Sequence, residues 1–174
     1  MSDPCGGDRL LDSSEFRACL TALKQIDFEL AYLALLTREG IKPLSRREKP
    51  LGENGLGLLQ RIGLLTRQVR RTVKTGSEVI ETIFSPTLGY MQWYEESFGG
   101  TPVDKSAYTQ RLEGFLFGYP PCCVNQYIRA PYAPNNLTEQ DQKILFHWAC
   151  KGCKVTPALI RAYRNIYEKL TIDY

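Results

Sequence analysis

The chain has 174 residues, a net charge of +3, and 43% hydrophobic against 24% charged residues, the balance of a globular domain large enough to bury a core without covalent staples. The longest apolar run, residues 30–36, is far short of the roughly 20 residues that cross a bilayer, which excludes a membrane-spanning helix and a membrane partner of that kind. The first residues have no basic stretch followed by an apolar one, so the sequence predicts no secretory signal and a cytoplasmic protein.

Asp12 and Glu15 have capping-box spacing. Phe16, Cys19, Leu20, Leu23, Ile26, Leu30 and Leu33 then recur on one helical face, predicting one long helix that stops at Gly40. Cys19 lies on that stripe and reads as a small core residue, while Cys5 falls in a Gly-flanked tail. Residues 41–55 hold two prolines, two glycines and a basic run, the composition of a surface loop. The "GENGLG" within it lacks the preceding strand and the lysine of a phosphate loop.

A short helix is expected around 56–65, and the alternating stretch after it reads as a β-hairpin turning at "TGS". Pairing Val69 with Ile83, Arg71 with Glu81, Val73 with Val79 and Lys74 with Glu78 matches charge and hydrophobicity across the strands. Residues 87–98 and 104–117 read as two helices. A third begins at Pro121, since proline suits the first helical position. Thr138 with Asp141 starts a helix predicted to run through Cys150 and stop at Gly152. Thr156 and Pro157 open the last helix, with Leu159, Tyr163, Ile166 and Leu170 on one face. The fold class that follows is mainly α, a helical domain with one β-hairpin at about residues 67–84. It is read as a single domain over 1–174, with two lobes, 1–86 and 87–174, as a variant.

Six cysteines and a single histidine are present, and in a reducing cytosol clustered cysteines are more often metal ligands or redox thiols than disulfides. Cys122 and Cys123 sit in "FGYPPCCVNQYI", and His147, Cys150 and Cys153 in "HWACKGC". The prolines place the paired thiols in the first turn of a helix, where free N–H groups and the dipole favour thiolate. On a helix His147 and Cys150 share a face, and Gly152 allows a turn that returns Cys153 to the same point. With one or both of Cys122 and Cys123, these residues make a tetrahedral site in which zinc leads, an iron–sulfur cluster is the alternative, and no metal at all is the bland reading.

The segment "GFLFGYPPCCVNQYI", and more loosely "LFHWACKGC", resembles a family of uncharacterised, mainly archaeal proteins in which a Gly-Tyr-Pro-x-Cys-Cys motif recurs. That resemblance implies a prokaryotic, archaeal, cytoplasmic origin and carries no mechanism with it.

Two other functions have a foothold. The same cysteines suit a thiol–disulfide redox protein. Between Arg38 and Lys74, ten basic residues face three acidic ones, and a short helix followed by a basic hairpin resembles a winged-helix wing, with Arg46, Arg47, Arg67, Arg70, Arg71 and Lys74 as candidate phosphate contacts. The hairpin's own acids make a solvated charged face the favoured reading of that segment. No serine lies in a nucleophile elbow, so hydrolase chemistry has no foothold. The ten tyrosines and two tryptophans suit a ligand pocket and a packed core equally well.

Overall fold

The computed structural model describes residues 13–172. In chain order the elements are α1 (Ser13–Ile26), α2 (Phe28–Arg38), β1 (Ser45–Arg47), α3 (Glu53–Arg61), β2 (Leu65–Thr72), β3 (Glu78–Ser85), α4 (Leu88–Phe98), α5 (Ala107–Leu116), α6 (Pro121–Arg129), α7 (Glu139–Ile144) and α8 (Thr156–Ile172). The strands form one antiparallel sheet in the order β1-β3-β2. This is a mixed α/β fold, where the sequence predicts mainly α with a lone hairpin. The difference is β1, three residues inside the Pro/Gly-rich stretch, which pair Ser45 with Phe84 and Arg47 with Thr82 on the free edge of the hairpin.

The predicted long first helix is two. Asp27 adopts an extended backbone (φ −167°, ψ 122°) and its carboxylate accepts from the Glu29 amide at 2.9 Å, capping α2 afresh. The new start changes the phase of the apolar stripe, leaving Ile26 41% exposed. All residues from Leu30 to Thr37 are buried, so α2 is enclosed on every side and serves as the core's central rod. Asp12 and Cys5 lie outside the described residues.

The hairpin forms with its pairing displaced by two residues, so that Val69 faces Glu81 and Arg71 faces Val79. The cause is the turn. Gly76 takes φ +83°, Gly76 N–H donates to Val73 O at 2.8 Å and Val73 N–H to Ser77 O at 2.9 Å, a three-residue loop closed by a left-handed glycine. A two-residue displacement keeps every side chain on its face. Val69, Arg71, Glu81 and Ile83 therefore all point inward and are buried.

The central strand β3 is buried on both faces. Phe84 joins a cluster built from α1, α2, α3 and α8, and Ile83 joins a second with Met91, Tyr94 and Phe98 of α4 and Leu116 of α5. The sheet thus lies between two helical layers, each worth roughly 1.5–3 kcal/mol per fully buried large side chain. Gly114 brings α6 onto α5, since a Cβ there would lie 2.5 Å from Val124 Cγ2. No helix among the described residues is long and apolar enough to cross a membrane.

Candidate metal centre and the adjoining cleft

Proline at the first helical position starts α6 where the sequence places it, with Cys122 and Cys123 in its first turn. Thirty residues on, Cys150, Lys151, Gly152 and Cys153 make a tight turn, with Gly152 at φ +80° and Cys153 N–H donating to Cys150 O at 3.3 Å. The two segments meet. Cys122 Sγ lies 3.5 Å from Cys153 Sγ, Cys123 Sγ lies 3.8 Å from Cys150 Sγ, and the adjacent Cys122 and Cys123 sulfurs are 4.0 Å apart. All four sulfurs fall within 4.8 Å of one another. A tetrahedron of thiolates around one ion at about 2.3 Å per bond has sulfur–sulfur edges of about 3.8 Å, so the donor set fits a single four-coordinate ion. A disulfide would require about 2 Å, and these thiols are free.

The hydrogen bonds around the sulfurs come from a direction the sequence reading missed. The Cys123 amide is taken by Pro120 O at 2.9 Å, so the first turn of α6 does not supply the expected N–H groups to its own thiols. Instead Cys150 N–H points at Cys123 Sγ (3.3 Å), and both the amide and the hydroxyl of Thr156 point at Cys153 Sγ (3.3 and 3.2 Å). Donors of this kind stabilise thiolate and orient metal ligands. Burial, and then the neighbouring sulfurs, push the Cys122 thiol up to about 11 and that of Cys123 higher still. Burial acts upward on Cys153 too, but its Thr156 contacts hold it down to about 6. Four thiols this close cannot all ionise without a cation among them.

His147 stands beside this set. The four sulfurs that converge do not include it as a partner, and its Nε2 lies 3.3 Å from Thr156 Oγ1. The sequence spacing puts it on a helical face with Cys150, but α7 ends at Ile144 and residues 145–150 are not helical. Their backbone is satisfied from outside: Gln142 Nε2 donates to His147 O at 2.9 Å, Gln142 Oε1 accepts from Ala149 N–H at 3.3 Å, and Asn135 Nδ2 donates to Ala149 O at 3.1 Å. Side chains thus replace the helical ladder, and the imidazole reaches the sulfurs only through the Thr156 hydroxyl between them. Thr156 gives its one hydroxyl proton to Cys153, so its oxygen accepts from His147 Nε2–H. That leaves Nδ1 unprotonated, and it has no hydrogen-bond partner. Burial, and then the charge of Lys42, push His147 down to about 4, which keeps it neutral at pH 7.

The cluster borders a cleft of about 1020 Å³, lined by Cys123 and His147 and by six aromatic rings, those of Phe117, Tyr119, Tyr127, Tyr132, Phe146 and Trp148. Behind Tyr119 lies Lys42, wholly buried. Its Nζ donates to Phe117 O at 2.9 Å and sits 4.5 Å from the Tyr119 ring centroid. Burial, and then the charge of Arg46, push its amine down to about 7.

The basic residues of the middle segment are mostly engaged with acids. Arg46 and Arg71 share Glu81 and Glu113 in a buried quartet. Arg47 pairs with Asp27, Arg67 with Glu95 and Arg70 with Glu78. Lys74 is exposed on the hairpin turn. The quartet was hidden from sequence reasoning because Glu113 lies on α5, 42 residues beyond Arg71. No protein-family profile matches the chain, and neither a curated protein nor a solved structure does.

Proposed function

We propose that the protein binds one zinc ion through Cys122, Cys123, Cys150 and Cys153, and that the ion ties α6 to the segment leading into α8. The observation that carries this reading is the convergence of four sulfurs from two distant segments within 4.8 Å. A dithiol enzyme needs two sulfurs and a cluster of several irons spreads its thiolates over separate atoms, whereas these spacings suit four ligands on one ion. Four thiolates fill the coordination shell, so the ion serves architecture rather than catalysis. Reduced thiols of this kind belong in a cytoplasm, and the resemblance of the Gly-Tyr-Pro-x-Cys-Cys segment to archaeal proteins would make the origin archaeal. Metal analysis of protein purified without oxygen or chelator is the test: about one zinc per chain is expected. A fully folded chain that holds no metal would sink the proposal.

A second reading rests on Cys122, which is exposed and 3.5 Å from Cys153 Sγ. In a thiol–disulfide protein the Cys153 thiolate attacks an external disulfide, expels one of its thiols, and the mixed disulfide is resolved by Cys122. This reading predicts rapid alkylation of Cys153 near neutral pH in metal-free protein, and slow uniform labelling of all the cysteines counts against it.

A further inference from the structure

The cleft beside the cysteines has features that the ion does not explain. Its volume, about 1020 Å³, is at the upper end of small-molecule sites. On its solvent side three rings stand in a perpendicular series. Tyr127 and Tyr132 have centroids 5.2 Å apart at 83°, and Tyr132 and Trp148 are 5.3 Å apart at 80°. Tyr132 is 66% exposed and is the one non-glycine residue with positive φ among the described residues, at 58°. A bulky residue takes that conformation at a cost, and such strain concentrates where a side chain must be held for a ligand. The Trp148 indole N–H fixes the same turn by donating to Ala133 O at 2.7 Å.

Charge narrows what these rings can receive. Glu48, Glu113 and Glu139 line the cleft against Arg46 and Lys143. Both cations are already committed, Arg46 to Glu113 at 2.6 Å and Lys143 to Glu139 at 2.8 Å. A phosphate or carboxylate would meet three carboxylates against two cations that already have acidic partners, a surplus of negative charge. The same surplus of carboxylates favours a ligand that brings N–H donors.

From this arrangement we propose that the cleft binds a planar heteroaromatic molecule bearing N–H donors and no anionic group, the chemistry of a nucleobase or free nucleoside. Its ring stacks on Tyr132, and a ring or amino N–H meets the carboxylates that line the cleft. The rings and charges that define the site are independent of the identity of the ion.

The test uses the full chain with Trp93→Phe, which leaves Trp148 as the only tryptophan and makes its fluorescence report on the cleft. It is titrated with adenosine, guanosine, cytidine and uridine, and with their 5′-monophosphates. At least one nucleoside is expected to quench Trp148 with a dissociation constant below about 1 mM, and its monophosphate to bind at least about tenfold more weakly. Tyr132→Gly should weaken binding about tenfold or more, the usual loss for a stacking contact, while glycine's ease at positive φ keeps the turn folded. Tyr132→Phe should restore binding. The proposal is overturned if no nucleoside saturates by about 5 mM, if the monophosphate binds as well as its nucleoside, or if Tyr132→Gly binds like the parent.

Discussion

Arg46 on β1 and Glu113 on α5 meet with Nη1 and Oε1 2.6 Å apart, and the same carboxylate oxygen accepts from Arg71 at 3.2 Å. Arg71 is 1% exposed, so Glu113 neutralises charge where water cannot. Replacing it as Glu113→Gln leaves Arg71 with Glu81 as its one carboxylate, and Arg46 with Glu81 and the exposed Glu48, and should cost about 3 kcal/mol in urea unfolding. The exposed Arg70–Glu78 pair gives the contrast, since Glu78→Gln should change stability by no more than about 0.5 kcal/mol. Equal effects at the two positions would contradict this account.

The cysteines should divide cleanly. Cys123→Ser and Cys153→Ser are each expected to lose stoichiometric zinc and to lower the melting temperature, and a strong chelator should have the same effect on the parent chain. Cys19 is buried in the main helical core, far from this chemistry in role, and Cys19→Ala should keep the zinc while costing about 1 kcal/mol. Cobalt loaded in place of zinc should show the visible absorption of a tetrahedral thiolate site.

Lys42 predicts a pH effect with a definite sign. Burial, and then Arg46, lower its pKa in the fold from 10.5 to about 7, so between these values the unfolded chain binds the extra proton. Stability from this group therefore rises as pH increases through that window, by an amount on the order of 5 kcal/mol across the whole of it. Urea unfolding from about pH 7.5 to 9.5 should show the parent gaining roughly 2–3 kcal/mol relative to Lys42→Met. Parallel curves for the two proteins would show that the amine is charged in the fold.

Gly118, four residues before the paired thiols, tests the approach to the site. It has φ +72°, and a Cβ there would sit 2.7 Å from Pro43 Cδ. Gly118→Ala should cost about 2 kcal/mol or more by combining backbone strain with a clash against a stiff ring. Because the residue contacts no sulfur, the variant should still bind zinc when folded.

What the sequence made legible was local chemistry. Pro121 at the first helical position and Gly152 at a left-handed turn are each read from their own few residues, and they bring the four thiols of two segments together. What it hid was set by distant partners. Strand β1 exists because Ser45–Arg47 meet residues 82–84, and nothing in its own composition says so. Leu145, Trp148 and Ala149 have spacing that suits a helix, but Asn135 and Gln142 hold that backbone open. The removal of His147 from the expected ligand group follows from that exchange. The hairpin pairing moved by two residues because the position of Gly76 in the turn, rather than the best match of side chains, fixes which residues meet.

The sulfurs that meet at Cys122–Cys153 and Cys123–Cys150 close a loop whose ends lie 31 and 27 residues apart in sequence. Tyr127, Tyr132 and Trp148, the outer rings of the cleft, all fall inside it. A loop fastened at one point opens as a unit when that point is released, while α2 and the central strand stay packed. Hydrogen exchange after chelation should therefore show the amides of residues 122–153 losing protection together. The metal knot would then act as the latch of a single foldon that carries the cleft wall.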